Sequence, residues 1–334
     1  MPIRFTVLGD GAWGTTIAIL LAQKSGHAVA LWSAREENGR LLRERRENVR
    51  LLPGVPIPDS VALTTDIQEA VTGIDLAVVA IPTVHLRPTL LRILPALRQG
   101  MPVLSLVKGM ENDSFLLPSE ILRQVLHDPR VAILSGPSHA EEVSRGQPAS
   151  VVAASRDVDL ARWVQQCFTS DRFRVYTNSD MVGVELAGAL KNIMGLAAGI
   201  GDGLELGDNA KAALLTRGLV EMARFGVALG AEQPTFFGLA GLGDLITTCV
   251  SRHGRNRHVG ERLARGEKLA DILAAMSMVA EGVYTTRSVH DKAARMGIAM
   301  PITNQIHQVL YEDKDPLAAV NDLMLREPTS ERIV

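Results

Sequence analysis

Disulfide chemistry has almost nothing to work with in this sequence: Cys167 and Cys249 are the only cysteines in 334 residues. Two cysteines make no disulfide framework, and a reducing cytoplasm is the expected setting. The eight histidines are scattered, with no Cys/His spacing that reads as zinc, so no metal is expected. Aromatics are scarce at 4%, which argues against a stacking platform for bases. Charge of one sign is not in excess: 35 Lys and Arg stand against 37 Asp and Glu, a net charge of −2. So balanced a chain has no global basic field for nucleic acid, and any anion site has to be local. The most apolar long stretch carries Glu185, Lys191 and Asn192, so no run reaches the ~18 uncharged apolar residues of a membrane span. No integral membrane segment is expected. The N-terminal stretch is broken by Gly9 too soon to read as a signal peptide.

What is present is the mix of an ordinary globular protein, 46% hydrophobic and 22% charged, long enough for two domains. Short β-branched runs at 3–8, 28–32, 76–81, 103–107, 131–134 and 150–154 read as strands. Several are apolar throughout, as strands buried on both faces are. Helical patterns lie between them, for example at 15–25, 36–47 and 118–126. Such alternation predicts a mainly parallel, doubly wound sheet with helices on both faces. The rhythm changes near Tyr176, after which Gly, Ala, Leu and Met recur at helical spacing. The reading is an α/β domain over 1–179 and an all-α domain over 180–334.

Gly9-Asp10-Gly11-Ala12-Trp13-Gly14 is a G-x-G-x-x-G motif that follows a strand and opens a helix. In that context Gly9 permits the tight turn, Gly11 lets backbone approach a pyrophosphate, and Gly14 lets helix and strand pack closely. Amides at the helix start bind phosphate with help from the helix dipole. The first domain therefore reads as a Rossmann dinucleotide-binding domain. Past the second strand runs Trp32-Ser33-Ala34-Arg35. The carboxylate of an NAD-selective site is missing, and Arg35 favours a 2′-phosphate, while Glu36 and Glu37 keep NAD open. The bland alternative is a solvated surface arginine.

Five further segments follow in order: Val107-Lys108-Gly109-Met110; Ser135-Gly136-Pro137-Ser138-His139-Ala140; Gly188-Ala189-Leu190-Lys191-Asn192-Ile193-Met194-Gly195; Gly241-Leu242-Gly243-Asp244; and Gly254-Arg255-Asn256-Arg257. Val279-Ala280-Glu281-Gly282 and Met300-Pro301-Ile302-Thr303 close the series. Over nearly the whole chain this set resembles the bacterial NAD(P)-dependent glycerol-3-phosphate dehydrogenase family. The resemblance implies an oxidoreductase that interconverts dihydroxyacetone phosphate and sn-glycerol 3-phosphate with NADP(H) and/or NAD(H). It also implies a homodimer that supplies glycerophospholipid synthesis, while the cysteine usage and charge balance above point to the cytoplasm and to no nucleic-acid partner. One departure stands out: family members often carry serine where this chain has Gly254.

By resemblance Lys191 is the proton donor, Lys108 polarises the carbonyl or holds substrate and cofactor, and Asp244 bonds a substrate hydroxyl and orients lysine. A lysine in Gly/Ala-rich helical surroundings is open to desolvation, which lowers its pKa, and a second cation lowers it further. Gly188 and Gly195 leave gaps beside Lys191 that suit either ligand approach or close helix packing. Arg255 and Asn256 form the expected phosphate clamp, with Gly254 beside them. Gly136 and Ser138 are expected to line the substrate site. Gly9, Gly11, Ala12, Trp13, Gly14, Arg35, Lys108, Ala140, Arg255, Val279 and Glu281 are expected to contact cofactor, Trp13 covering the pyrophosphate. Asn192 and Thr248 are supporting candidates. Each has a bland counterpart: a snorkelling Lys191, a strand-end Lys108, a helix N-cap for Asp244 or Ser138, simple packing for Ala140, Val279 and Trp13, a turn carboxylate for Glu281. Two other functions compete, a hydroxyacid or 6-phosphogluconate dehydrogenase and a non-catalytic dinucleotide sensor. The G-L-G-D and R-N-R segments argue against the first, and Lys108, Lys191 and Asp244 against the second. The basic run around Arg255 also permits an RNA contact, against which net charge and aromatic count weigh.

Overall fold

The structure is a computed structural model describing residues 2–328, 330 and 331. Its residues group into two units, 1–107 with 118–181, and 108–117 with 182–334.

Unit 1 is built on one eight-stranded sheet: β1 (Ile3–Leu8), β2 (His27–Trp32), β3 (Val61–Thr64), β4 (Leu76–Val79), β5 (Val103–Ser105), β6 (Val131–Ser135), β7 (Ala149–Ala154) and β8 (Phe173–Asn178). Their spatial order is β3-β2-β1-β4-β5-β6-β7-β8, and every pairing is parallel except β6 with β7. β4 and β6 are buried at every residue, which is why they read as unbroken apolar runs. The chain winds outward from β1 in both directions, so the β1/β4 boundary is the point where strand order reverses and ligands bind in such sheets.

Two strands were not visible in the sequence pattern. β3 has four residues, too few to show a period. β8 alternates buried and exposed over Phe173–Val175 and pairs only with β7, so it is an edge strand whose polar residues mimic a loop. The residues around Tyr176, read as a change of rhythm, are that last strand.

Unit 2 is helical and centres on Met181–Gly203. That helix is long and apolar enough to cross a bilayer by length and composition, yet 89% of its most apolar window is buried inside the protein, the position of a core helix. It crosses the helix Arg255–Ala264 backbone to backbone: a Cβ on Gly199 would stand 1.9 Å from Arg257 O, and one on Gly260 2.1 Å from Leu196 O. The excursion 108–117 packs with this unit because Met110 and Leu117 bury in its core beside Leu186, Leu190 and Val289. A two-block division at 179/180 does not contain that excursion. The Met300–Thr303 motif is the start of the helix Pro301–Tyr311, held by Glu221. Its buried carboxylate accepts from Ile302 N and Thr303 N, both at 2.8 Å, and from Thr303 Oγ1 at 2.7 Å. Burial pushes this carboxyl up in pKa, and the three donors oppose the shift.

Candidate active-site residues

In unit 1 the glycine motif occupies the turn from β1 into the helix Ala12–Ala22. Gly9 has φ +117°, and a Cβ there would stand 2.8 Å from Ala80 O at the end of β4. A Cβ on Gly14 would fall 2.0 Å from Gly9 O, so both positions demand glycine. A Cβ on Gly11 would meet nothing within 4 Å. Backbone at Gly11 therefore borders open space, beside a helix start that no side chain caps and no acid opposes. This arrangement fits a pyrophosphate, and Gly9, Gly11, Ala12, Trp13 and Gly14 are the residues that would hold it. Trp13 is half-buried, with its ring 6.4 Å from that of Phe173. Arg35 is exposed at the start of the helix Glu36–Arg45.

Asp10, which sequence reasoning passed over, accepts a 2.6 Å hydrogen bond from Ser33 Oγ just past β2. Asn48 Nδ2 donates to Asp10 O at 2.8 Å and lies 2.9 Å from Thr15 Oγ1. A carboxylate is thus present at the end of β2, supplied by the glycine turn. Only the one-residue gap inside G-x-G hinted at it.

Gly136 ends β6 with φ +133°, and a Cβ there would stand 3.1 Å from Val151 Cα. Ser138 Oγ donates to Gly136 O at 3.0 Å, closing the turn; the cap position of the next short helix belongs to His139, so Ser138 is not an N-cap. Ala140 is buried, its carbonyl 3.3 Å from Thr16 Oγ1.

Unit 2 brings three of the predicted catalytic residues together. Lys191, 8% exposed on the central helix, donates to Asp244 Oδ1 at 2.9 Å and to Thr248 Oγ1 at 2.6 Å. Lys108 donates to Asp244 Oδ2 at 2.7 Å. Two ammonium groups thus share one carboxylate, leaving the buried cluster with one net positive charge. Burial lowers the Lys191 pKa to about 8, with Asp244 pulling it up and Lys108 pushing it further down. Burial would raise the Asp244 carboxyl, and the two lysines outweigh it, holding it below the usual carboxylate range. Gly243, not Asp244, is the N-cap of the helix Asp244–Val250. The G-L-G-D segment enters that helix through a wide π-type helical turn over Leu239–Gly243. π-turns frequently mark functional sites.

A second network runs behind the cluster. Asn192 Nδ2 donates to Lys108 O at 3.3 Å; Asn256 Nδ2 donates to Asn192 Oδ1 at 3.0 Å; Gly282 N donates to Asn256 Oδ1 at 3.0 Å. Asn256 is buried and its carboxamide is engaged by protein at both ends. Its geometry is that of a brace, while Arg255 is exposed and donates through Nη1 to Val279 O at 2.9 Å. Glu281 opens the helix Glu281–Met296, half-buried one residue after the Ala280 cap. Arg257 is paired with Asp202 at 2.5 Å and Glu261 at 2.8 Å, so the basic run around it is partly neutralised.

Two glycines are held by close packing. A Cβ on Gly195 would meet Thr248 Cγ2 at 2.7 Å, so this gap serves helix packing that sets Thr248 beside Lys191. A Cβ on Gly254 would stand 3.0 Å from Thr248 O and 3.2 Å from Arg257 Cβ, so a serine here needs its surroundings to give way.

Comparison with known proteins bears on both units. The family model described as NAD-dependent glycerol-3-phosphate dehydrogenase N-terminus matches residues 4–161, and its C-terminus counterpart matches 180–321. Glycerol-3-phosphate dehydrogenase (NAD(P)+) of Chlorobium limicola is 49% identical over 332 residues, covering 98% of this chain and 99% of the relative. The corresponding protein of Koribacter versatilis is 46% identical, with 98% of both chains covered. The crystal structure of glycerol-3-phosphate dehydrogenase from Coxiella burnetii superposes with a TM-score of 0.94 at 37% identity, covering 97% of this chain and 99% of that one. A ketopantoate reductase from Ralstonia eutropha, 18% identical with a TM-score of 0.62, shares the fold alone; it covers 95% of this chain and all of that one.

Proposed function

This chain belongs to the NAD-dependent glycerol-3-phosphate dehydrogenase family, and from that premise we propose how its residues divide the work. The reaction is the reversible NAD(P)H-dependent reduction of dihydroxyacetone phosphate to sn-glycerol 3-phosphate. The nicotinamide cofactor supplies the hydride. Lys191 gives a proton to the ketone oxygen in reduction and recovers it from the alcohol in oxidation. A pKa of about 8 suits both directions, because neither protonation state is remote near neutral pH. Asp244 holds Lys191 in place and keeps enough of it charged to serve as acid. Lys108, on the other carboxylate oxygen, adds positive charge where the alkoxide develops.

The phosphate goes to Arg255, whose planar fork suits its oxygens, assisted by amides at the start of the ten-residue helix Arg255–Ala264. Asn256 and Asn192 brace this region rather than grip the phosphate. The turn Gly9–Gly14 would hold the dinucleotide, with Arg35 near its 2′ end. The buried Lys108–Asp244–Lys191 cluster is the observation that carries this reading, since a hydride-transfer step at a ketone needs an acid of tuned pKa and the cluster provides one. We further place the enzyme in the cytoplasm as a homodimer supplying glycerophospholipid synthesis; sedimentation of the purified protein tests the dimer. The functional test is spectrophotometric, with dihydroxyacetone phosphate offered alongside NADH and NADPH in parallel. Oxidation of neither cofactor removes the reading.

A further inference from the structure

Sequence spacing gave no metal site, but the fold gathers two histidines from different helices. His290 on Glu281–Met296 and His307 on Pro301–Tyr311 stack with ring centroids 3.7 Å apart and planes 12° from parallel. Asp291 joins them, its Oδ1 3.1 Å from His290 Nδ1. One ligand atom from each of the three lies within 4.8 Å of the others. Glu312 Oε1 stands 3.2 Å from His307 Nδ1. We propose that His290, Asp291 and His307 form a binding site for one zinc-class divalent transition ion, with Glu312 as its outer carboxylate.

The donor chemistry fits that class of ion. Two imidazoles and a carboxylate suit zinc, cobalt, nickel or copper far better than magnesium or calcium, which prefer all-oxygen sets. A carboxylate facing the second nitrogen of a ligating imidazole fixes its tautomer and raises its basicity, and Glu312 is placed to do this for His307. Ligand bonds of about 2.0–2.1 Å put donor atoms roughly 3.3 Å apart in a tetrahedral site. The present separations therefore have to close somewhat, and the near-parallel rings have to turn about χ2 so that their lone pairs converge. The cluster can be reached from solvent, because the Asp291 and His290 side chains are 42% and 28% exposed.

Binding would replace a stack of two rings with a coordinate link between consecutive helices. These helices are already tied by Tyr311 Oη donating to Val283 O at 2.6 Å. The first turn of Glu281–Met296 also carries the Gly282 amide that engages Asn256. An ion at the far end of this helix would thus stiffen an element that braces the active-site region. None of the four residues is part of the catalytic cluster, so metal-free turnover is expected to be independent of them.

The test uses the full-length protein stripped with a chelator and titrated with zinc, then with cobalt, by calorimetry. The expected result is one site per chain, a melting temperature that rises with zinc, and visible cobalt absorption of low-symmetry coordination. His290→Gln and His307→Gln should each abolish that site, and Glu312→Gln should weaken it by about 10–100-fold. Metal-free kcat should stay at the parent value in all three, which certifies the fold. Asp291→Asn offers a milder ligand change should a histidine variant misfold. No saturable zinc binding by the parent, or binding that survives loss of both histidines in a folded variant, overturns the proposal.

Discussion

Lys191 Nζ lies 2.9 Å from Asp244 Oδ1, and both side chains are almost wholly withdrawn from solvent. The pairing does not neutralise the site, because Lys108 occupies the second carboxylate oxygen at 2.7 Å. Asp244 by itself pulls the lysine towards its charged form. Burial together with a second lysine brings the Lys191 pKa down to about 8 instead. The same three residues thus provide an acid that can be regenerated.

Lys191→Ala is expected to lower kcat by at least about 10²–10⁴-fold, the usual span of general acid–base catalysis. NADPH binding, followed by fluorescence, should stay near the parent value, since Lys191 is not among the residues proposed to hold the cofactor. Retention of most of kcat would send the proton to another donor, with Lys108 first in line.

Arg255→Ala should raise KM for dihydroxyacetone phosphate by about 10–100-fold, the equivalent of losing a charge-assisted hydrogen bond of roughly 1.5–3 kcal/mol. Steady-state kinetics at saturating cofactor measure it. An unaltered KM removes Arg255 from the clamp. Gly254→Ser, which fits the common family residue, is expected to cost activity or stability because of the 3.0 Å approach to Thr248 O.

These assignments divide along what a local pattern can encode. Gly9, Gly11 and Gly14 are legible because they fall within one six-residue motif between a strand and a helix, although the contact that requires glycine at position 9 is with Ala80, distant in sequence. Lys108, Lys191 and Asp244 are recognisable one motif at a time, but their sharing of one carboxylate is a product of the fold. Asn256 shows the limit: beside Arg255 it reads as a second phosphate ligand, whereas its partners Asn192 and Gly282 are distant in sequence. β3 is too short to show a period, and the polar positions of β8 conceal an edge strand. Residues 108–117 look like a strand-to-helix connection, and only the burial of Met110 and Leu117 reveals which unit they join.

Two opposed charges lie near the end of β2, Arg35 and the Asp10 carboxylate held by Ser33. An arginine suits a 2′-phosphate and a carboxylate disfavours one, so these two residues are proposed to set cofactor choice. Arg35→Asp should lower the NADPH/NADH ratio of kcat/KM by about tenfold or more, and Asp10→Asn should raise it. Parallel assays and direct binding of both cofactors report the ratio. A ratio that is unchanged in Arg35→Asp takes that residue out of the argument.

Glu221 gives a prediction of stability rather than turnover. Its carboxylate receives three donors from Ile302 and Thr303 in a buried place. Glu221→Gln keeps one acceptor oxygen and turns an NH2 group towards the remaining donors. The expected loss is about 1–3 kcal/mol in urea unfolding, the cost of leaving buried polar groups unmatched. No change in the unfolding midpoint would mean that the helix Pro301–Tyr311 is held mainly by its apolar face.

The pH dependence of turnover tests the cluster as a whole. With charged Lys191 as the proposed acid in ketone reduction, kcat for reduction should fall as pH rises through about 8. With neutral Lys191 as the proposed base in alcohol oxidation, kcat in that direction should rise through the same pH. Asp244 contributes the negative charge that pulls this pKa up, against burial and Lys108. Asp244→Asn removes it and leaves two ammonium groups without their shared carboxylate. The Lys191 proton is then lost at lower pH, and the falling limb of reduction should move by at least about one unit towards acid, where one unit corresponds to about 1.4 kcal/mol. Reduction by this variant should therefore recover in part as the buffer is made more acidic, with circular dichroism confirming that it stays folded. A limb that stays near 8 in folded Asp244→Asn would show that the titrating acid is not the lysine this carboxylate holds.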